Sequence, residues 1–156
     1  MDNSKEKTKK QIVGELGEHF AAKFLTSRHF VIKDKNYRKK WGELDIIGEK
    51  DGVLHFIEVK SMVTQGYVAR VTWVSLPFWH INPILNVGFD DYFPEQNIHF
   101  WKQRRMARAI QTYLLEKHVL EDQEWQIDVA AVFLDFSQKY ATIRYTENVV
   151  FDIPVA

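Results

Sequence analysis

Residues 42–60 constrain this chain more than any other stretch: Gly42-Glu43-Leu44-Asp45-Ile46-Ile47, a break at Asp51-Gly52, then Val53-Leu54-His55-Phe56-Ile57-Glu58-Val59-Lys60. Apolar and polar residues alternate with the two-residue period of a strand. Asp-Gly supplies the positive φ that a tight hairpin turn requires, so the stretch predicts a β-hairpin. The same alternation aims the charges. Glu43 and Asp45 share one face of the first strand and Glu58 and Lys60 one face of the second, while Leu44, Ile46, Ile57 and Val59 take the opposite faces. An in-register hairpin then gathers three carboxylates and an ammonium on one patch of an apolar sheet, and charges in such surroundings require partners or a metal ion.

Two readings of that patch are open. In the first, Asp45 and Glu58 are hard oxygen ligands for Mg²⁺, with Mn²⁺ as a substitute, since such ions take one or two carboxylates plus waters and phosphate oxygens. A bound cation lowers the pKa of its water and stabilises charge on a phosphate. Lys60, on the same side as Glu58, can orient the attacking water or neutralise the developing charge. That is metal-assisted hydrolysis of a phosphodiester. In the second reading the same groups form a cross-strand salt-bridge cluster on a half-solvated sheet. Spacing alone does not choose.

At 156 residues, 46% hydrophobic and 14% aromatic, residues 1–156 fit one globular domain with a real core. The absence of cysteine excludes disulfides and thiolate metal sites. Met1 to Lys10 is polar and no apolar run is long enough for a membrane span, so the expectation is a cytoplasmic protein without a membrane segment. The 21 basic and 21 acidic residues cancel, and bulk charge does not advertise nucleic-acid binding. Their distribution says more: Lys33 to Lys40 carries five basic residues against one Asp, and Lys102 to Arg108 carries four against none. Arg38, Lys39, Lys40, Lys102, Arg104 and Arg105 are the candidate phosphate contacts, with solvated faces as the competing use.

In chain order, residues 1–9 read as a flexible terminus. From Lys10 to Arg28 the line Ile12, Leu16, Phe20, Phe24, with Val13, Gly17, Ala21 and Leu25 beside it, predicts an amphipathic helix. Glu18 falls at the edge of its apolar arc and Glu15 further toward solvent, so Glu18 is the better placed to reach a buried site. Its competing use is a surface pair with Lys23 or His19. Phe30 to Lys35 alternates as a strand, and Asn36 to Lys40 is a basic lead-in to the hairpin. Trp41 can pack on the sheet edge or stack on a base. Residues 71–101 hold many aromatics but no Lys or Arg, which favours packing or a homodimer contact over base stacking; an aromatic wall beside the substrate is the alternative. His80 and His99 lack ligand spacing. Gln96 to Lys117 predicts a second helix with Lys102 near the edge of its apolar side. Trp125 to Phe136 is a near-continuous apolar run that predicts a central strand, and Tyr140 to Tyr145 alternates again.

The ordered set Gly14-Glu15-Leu16-Gly17-Glu18 with Ala21-Ala22, Asn36-Tyr37-Arg38, Gly42 to Ile47, Phe56 to Lys60 and Lys102 to Arg105 resembles the bacterial YraN-like family. That family belongs to the restriction-endonuclease-like PD-(D/E)XK nucleases and is similar to archaeal Holliday-junction resolvases. The resemblance covers roughly residues 11–64 and 97–135. It implies an α/β fold with an αβββαβ core, a mixed sheet flanked by helices, and a metal-dependent DNA endonuclease acting on branched or otherwise irregular DNA. It further implies metal ligands at Asp45 and Glu58, a catalytic Lys60, a contribution from Glu18 to the metal shell or to positioning Lys60, and a phosphate contact at Lys102, with Gln103 as its alternative. Asp128 resembles the family's Asp on its strand, with a structural role expected. The chain departs from the family in an aromatic-rich insertion over about residues 65–97. Two other functions are kept open: a nucleic-acid-binding module that retains the fold without cutting, and an interaction or dimerisation module that uses the insertion.

Overall fold

The computed structural model describes residues 7–64, 74–75, 80–83 and 100–150. The expected flexible terminus lies outside these residues apart from Lys7 to Lys9, and so does most of the insertion.

The hairpin forms as its turn chemistry demands. Strands β2 (Gly42–Lys50) and β3 (Val53–Val63) are antiparallel and joined by Asp51 at φ 51° and Gly52 at φ 81°. Two successive positive φ values make a tight turn whose twist matches the strands it joins. The preceding strand β1 (Val31–Lys39) pairs antiparallel with β2 as far as Lys39 opposite Gly42. It is longer than the predicted Phe30 to Lys35, because the basic lead-in is itself paired; the register shifts between Ile32 and Asp34, an irregularity that an alternation pattern does not register, and Asn36 sits at φ 52°.

The rest of the sheet is built around β3. Strand β4 (Val74–Ser75) and strand β5 (His80–Pro83) come next in the chain, then, after helix α2 (Phe100–Glu116), strands β6 (Trp125–Asp135) and β7 (Tyr140–Thr146). β6 lies parallel to β3 from Leu54 opposite Trp125 to Val63 opposite Leu134, and antiparallel to β7. β5 runs parallel to β7, giving the order β1-β2-β3-β6-β7-β5-β4. The apolar run of β6 therefore occupies the expected central position. Two short strands from the insertion extend the sheet at the far edge from β1.

Each face of the sheet is covered by one helix. α1 (Lys9–Ser27) is started by a capping box in which the Thr8 hydroxyl accepts from the Gln11 N–H and the Gln11 side chain accepts from Thr8 N–H. It buries Phe20, Ala21, Phe24 and Leu25 against Ile46, Ile57, Ala130, Val132 and Leu134. α2 covers the other face with Met106, Ala109, Ile110 and Tyr113 against Leu44, Ile47, Leu54 and Phe56. The chain is thus an α/β fold with a mixed sheet flanked by helices, and helix, three strands, helix, strand is the αβββαβ order of a restriction-endonuclease-like core.

One expectation about the hairpin fails. Leu44 and Ile46 do not share a face: Leu44 packs under α2 and Ile46 under α1. The alternation changes phase at Asp45, where β2 stops pairing with β3. Paired residues run only from Ile46 opposite Ile57 to Lys50 opposite Val53.

Candidate active site

Beyond Ile46 and Ile57 the two strands separate, and the Asp45 carboxylate replaces the missing partner strand. Its Oδ2 accepts the Val59 N–H at 2.8 Å. Both helices reach this fork because glycines let them approach. A Cβ on Gly17 of α1 would lie 1.6 Å from Ser61 Oγ and 2.7 Å from Ser61 Cβ on β3. A Cβ on Gly42 would lie 2.4 Å from the Arg105 carbonyl oxygen of α2. Neither contact is sterically allowed, so both positions require glycine for close packing.

The fork opens into a cavity of about 320 Å³ lined by Lys10, Val13, Gly14 and Glu18 from α1, Glu43 and Asp45 from β2, Glu58, Val59 and Ser61 from β3, and Lys102 from α2. Three of the four predicted catalytic residues, Glu18, Asp45 and Glu58, line it. The fourth, Lys60, touches it through Glu58: Lys60 Nζ lies 3.2 Å from Glu58 Oε1. Lys102 Nζ lies 3.3 Å from the same oxygen and 3.5 Å from Glu43 Oε1. Glu58 itself is only 2% exposed, and its second oxygen, Oε2, is buried with no hydrogen-bond partner among the described residues. Leaving a buried acceptor unsatisfied costs about 1–3 kcal/mol, more for a charged group.

The electrostatics follow from this crowding. Burial, then the charge of Glu58, pushes the Asp45 carboxyl up to about 7, against the opposing pull of the Val59 N–H and Lys102. Burial works against the charge of Lys102, but Glu58, Asp45 and Glu43 outweigh it and hold its ammonium above the ordinary range. Glu18, half-buried on α1, makes no hydrogen bond or ion pair among the described residues, so the surface pairing with Lys23 or His19 does not form. Its neighbour in the motif, Glu15, is exposed and bound to Lys7 at 2.7 Å.

The residues fit a divalent cation in a limited sense. No three His, Cys, Asp or Glu side chains among the described residues gather closely enough to hold a metal ion between them. Two carboxylates, Asp45 and Glu58, do meet at the fork, one with an unpartnered buried oxygen, and two carboxylates completed by water suit Mg²⁺. Glu43, read from sequence as one of the three carboxylates of the patch, is 47% exposed at its side chain and holds Lys102 and Arg38, the latter at 3.7 Å. Lys10 was not singled out in the sequence, although Lys10, Gly14 and Glu18 recur every four residues and so form one helix stripe over the fork.

The basic candidates divide. Lys102 enters the cavity, Arg105 Nε donates to the Trp41 carbonyl at 3.3 Å, and Arg104 stacks on Phe100 and Trp101. Arg38 and Lys40 are exposed on the β1 end, whereas Lys39 turns to Glu116 at 2.6 Å near the far end of α2. Trp41 packs its indole N–H on Thr112 Oγ1 at 3.1 Å and stays 42% exposed. Asp128 lies away from the cavity, fully buried. It accepts from Gln126 Nε2 at 2.7 Å, from the Asn148 N–H at 2.8 Å and from the Tyr145 hydroxyl, and meets His55 Nδ1 at 2.5 Å. This network ties β3, β6 and β7 together. His80 lies on β5, and His99 falls outside the described residues.

Comparison with known proteins places this geometry in a lineage. Residues 17–78 match the model of the uncharacterised protein family UPF0102, a span that includes Glu18, Asp45, Glu58 and Lys60. The UPF0102 protein of Campylobacter jejuni serotype O:23/36 is 31% identical over 138 residues, 88% of this chain and 93% of its own length. The chain belongs to the UPF0102 family. This is the YraN-like family that the sequence motifs resemble. A UPF0102 protein from Dictyoglomus turgidum is 28% identical over 136 residues, 87% of this chain and 94% of its own. A shorter match, to the UPF0102 protein of Campylobacter fetus, is 55% identical over 53 residues, where this chain spans about half of that protein's length, 47%.

Proposed function

We propose that this UPF0102 protein is a metal-dependent endonuclease that hydrolyses phosphodiester bonds in DNA at the fork between β2 and β3. The observation that carries this reading is Glu58 Oε2: a buried, unpartnered carboxylate oxygen beside a second carboxylate that burial already disfavours. An arrangement kept at that cost is what a cation site needs and what a structural ion pair avoids.

Asp45 and Glu58 would hold Mg²⁺ or Mn²⁺. When bound, such an ion supplies an acidified water and neutralises charge on the phosphate. The chain's own groups do the rest. The Val59 N–H fixes the Asp45 carboxylate and so aims its free oxygen. Lys60, with its ammonium on Glu58 and about a third of its side chain exposed, orients a water for attack on phosphorus. Lys102 and Lys10 present positive charge to the non-bridging oxygens as negative charge builds in the transition state. Glu18, free on the opposite wall, positions a water or Lys60 from the α1 side. The attacking water releases a proton to solvent as the new P–O bond forms, the P–O bond to one sugar breaks, and the departing alkoxide takes a proton from solvent.

The direct test is cleavage of linear duplex, single-stranded and four-way-junction DNA with Mg²⁺ or Mn²⁺, comparing wild type with Lys60→Ala. Cutting by the wild type that falls by about 10²-fold or more in the variant is expected. Equal cutting by both would remove Lys60 from the chemistry. No cutting of any DNA by the wild type would favour the binding-module reading, in which Lys60 and Lys102 permanently neutralise Glu58.

A further inference from the structure

The exposed face of α2 next to the cavity combines aromatic rings with cations, two of which make no hydrogen bond or ion pair from their guanidinium groups among the described residues. Trp101 is 70% exposed, Phe100 41% and Trp41 42%, unusual values for rings of this size in a folded chain. Trp101, Arg105 and Arg108 follow one another at helical spacing on one side of α2, and Trp41 joins that side through Arg105 and Thr112. The Arg104 guanidinium lies 5.6 Å from the Phe100 ring centroid and 5.7 Å from that of Trp101. Neither Arg104 nor Arg108 has a hydrogen bond or ion pair from its guanidinium among the described residues. From Phe100 to Leu115 the helix carries four cations and no acid.

A buried packing surface would not carry unpaired guanidinium groups, and a plain solvated basic face would not carry two tryptophans. Rings interleaved with arginines suit a polyanion whose planar groups are accessible: stacking takes the base and the cations take the phosphates. In a duplex the bases are stacked on one another and out of reach, so phosphate contacts alone would remain. Lys102, the residue after Trp101, reaches Glu58, which puts this surface at the lip of the cavity.

We propose that Trp101, Phe100 and Trp41, with Arg104 and Arg108, form a stacking platform for unpaired bases next to the phosphate held at the fork. The substrate class is then DNA with a single-stranded segment rather than continuous duplex. The inference deepens the nuclease reading and rests on it for the meaning of the neighbouring cavity, but the platform itself is measurable without cleavage.

The experiment is fluorescence anisotropy in EDTA, with full-length protein and a labelled 12-nucleotide single strand or a blunt duplex of the same length, for wild type, Trp101→Ala, Trp101→Phe and Arg104→Ala. Circular dichroism confirms that each variant folds. The wild type should bind the single strand more tightly than the duplex. Trp101→Ala should lose about 5–100-fold of single-strand affinity, as expected for one base–aromatic stack. Its duplex affinity should hold within about twofold, and Trp101→Phe should restore most of the loss. Equal single-strand binding by Trp101→Ala and wild type would overturn the platform. So would a dimer in sedimentation that Trp101→Ala dissociates while no nucleic acid binds. Stacking-dependent binding without metal-dependent cutting would leave the platform standing and sink the nuclease reading; cutting unaffected by Trp101→Ala would do the reverse.

Discussion

Asp45 accepts the Val59 N–H while sharing a buried fork with Glu58, and the balance holds its carboxyl at about 7 against an ordinary value of 3.8. In the window between those values the folded protein binds a proton that the unfolded chain has released. Stability from this group is therefore present below about pH 4 and is lost as pH rises through about 7. Asp45→Asn removes the charge and keeps a carbonyl oxygen for Val59. The variant should melt several degrees higher than wild type at pH 8, with the gap closing toward pH 4; a gap that does not change with pH would refute the assignment. A divalent cation meets the same proton, so its affinity should increase as pH rises through 7. Lys102 competes for the same place, since its ammonium already sits 3.3 Å from Glu58 Oε1. Lys102→Met should bind Mn²⁺ several-fold more tightly yet cut DNA more slowly, and calorimetry beside a cleavage assay separates the two effects. Weaker metal binding in the variant would mean that Lys102 supports the site rather than competing for it.

At the scale of elements, two glycine contacts set the fork. α1 meets β3 at Gly17 and Ser61, and α2 meets the start of β2 at Gly42 and Arg105. Gly17→Ala should destabilise by about 1–3 kcal/mol despite the better helix former, because the new methyl overlaps the Ser61 side chain. Ser61→Gly in the same chain clears the overlap, so chemical denaturation of both singles and the double should reveal favourable coupling between the two changes. Additive effects would show that the helix does not rest on that contact. Much at this scale was legible in the sequence. Asp-Gly marked the β2–β3 turn, the apolar line through Phe20 and Phe24 marked α1, and the unbroken apolar run of 129–134 marked the central strand. What could not be read was the phase change at Asp45. Leu44, Asp45 and Ile46 alternate without a flaw in the sequence, and only the departure of β3 from β2 sends Leu44 and Ile46 to opposite cores. Strand β1 was underestimated for a related reason, since pairing with β2 overrides the polar composition of Asn36 to Lys39.

For the whole molecule, a net charge of zero conceals local imbalance: Glu18, Glu43, Asp45 and Glu58 meet at the fork and Glu121, Asp122 and Glu124 follow α2, while α2 from Phe100 to Leu115 carries four cations and no acid. The candidate residues Glu18, Asp45, Glu58 and Lys102 converge from four different elements, as the resemblance of the ordered motifs to the YraN-like family implied. Sequence did not show that Lys60 and Lys102 would share one oxygen of Glu58 and leave the other bare, because that depends on where α2 docks. Nor did it mark Asp128 as the hub joining His55, Gln126 and Tyr145, since its partners lie on three strands. The nuclease reading turns on whether the bare oxygen receives a cation. The decisive measurement is calorimetric titration of Mn²⁺ at pH 8 into wild type and Asp45→Asn, with and without a single-stranded oligonucleotide. Saturable binding by the wild type, weakened at least about tenfold in the variant, is the predicted result. Identical heats from the two proteins, or no binding by the wild type even with the oligonucleotide, would make Asp45 and Glu58 a structural pair and end the case for a metal-dependent nuclease.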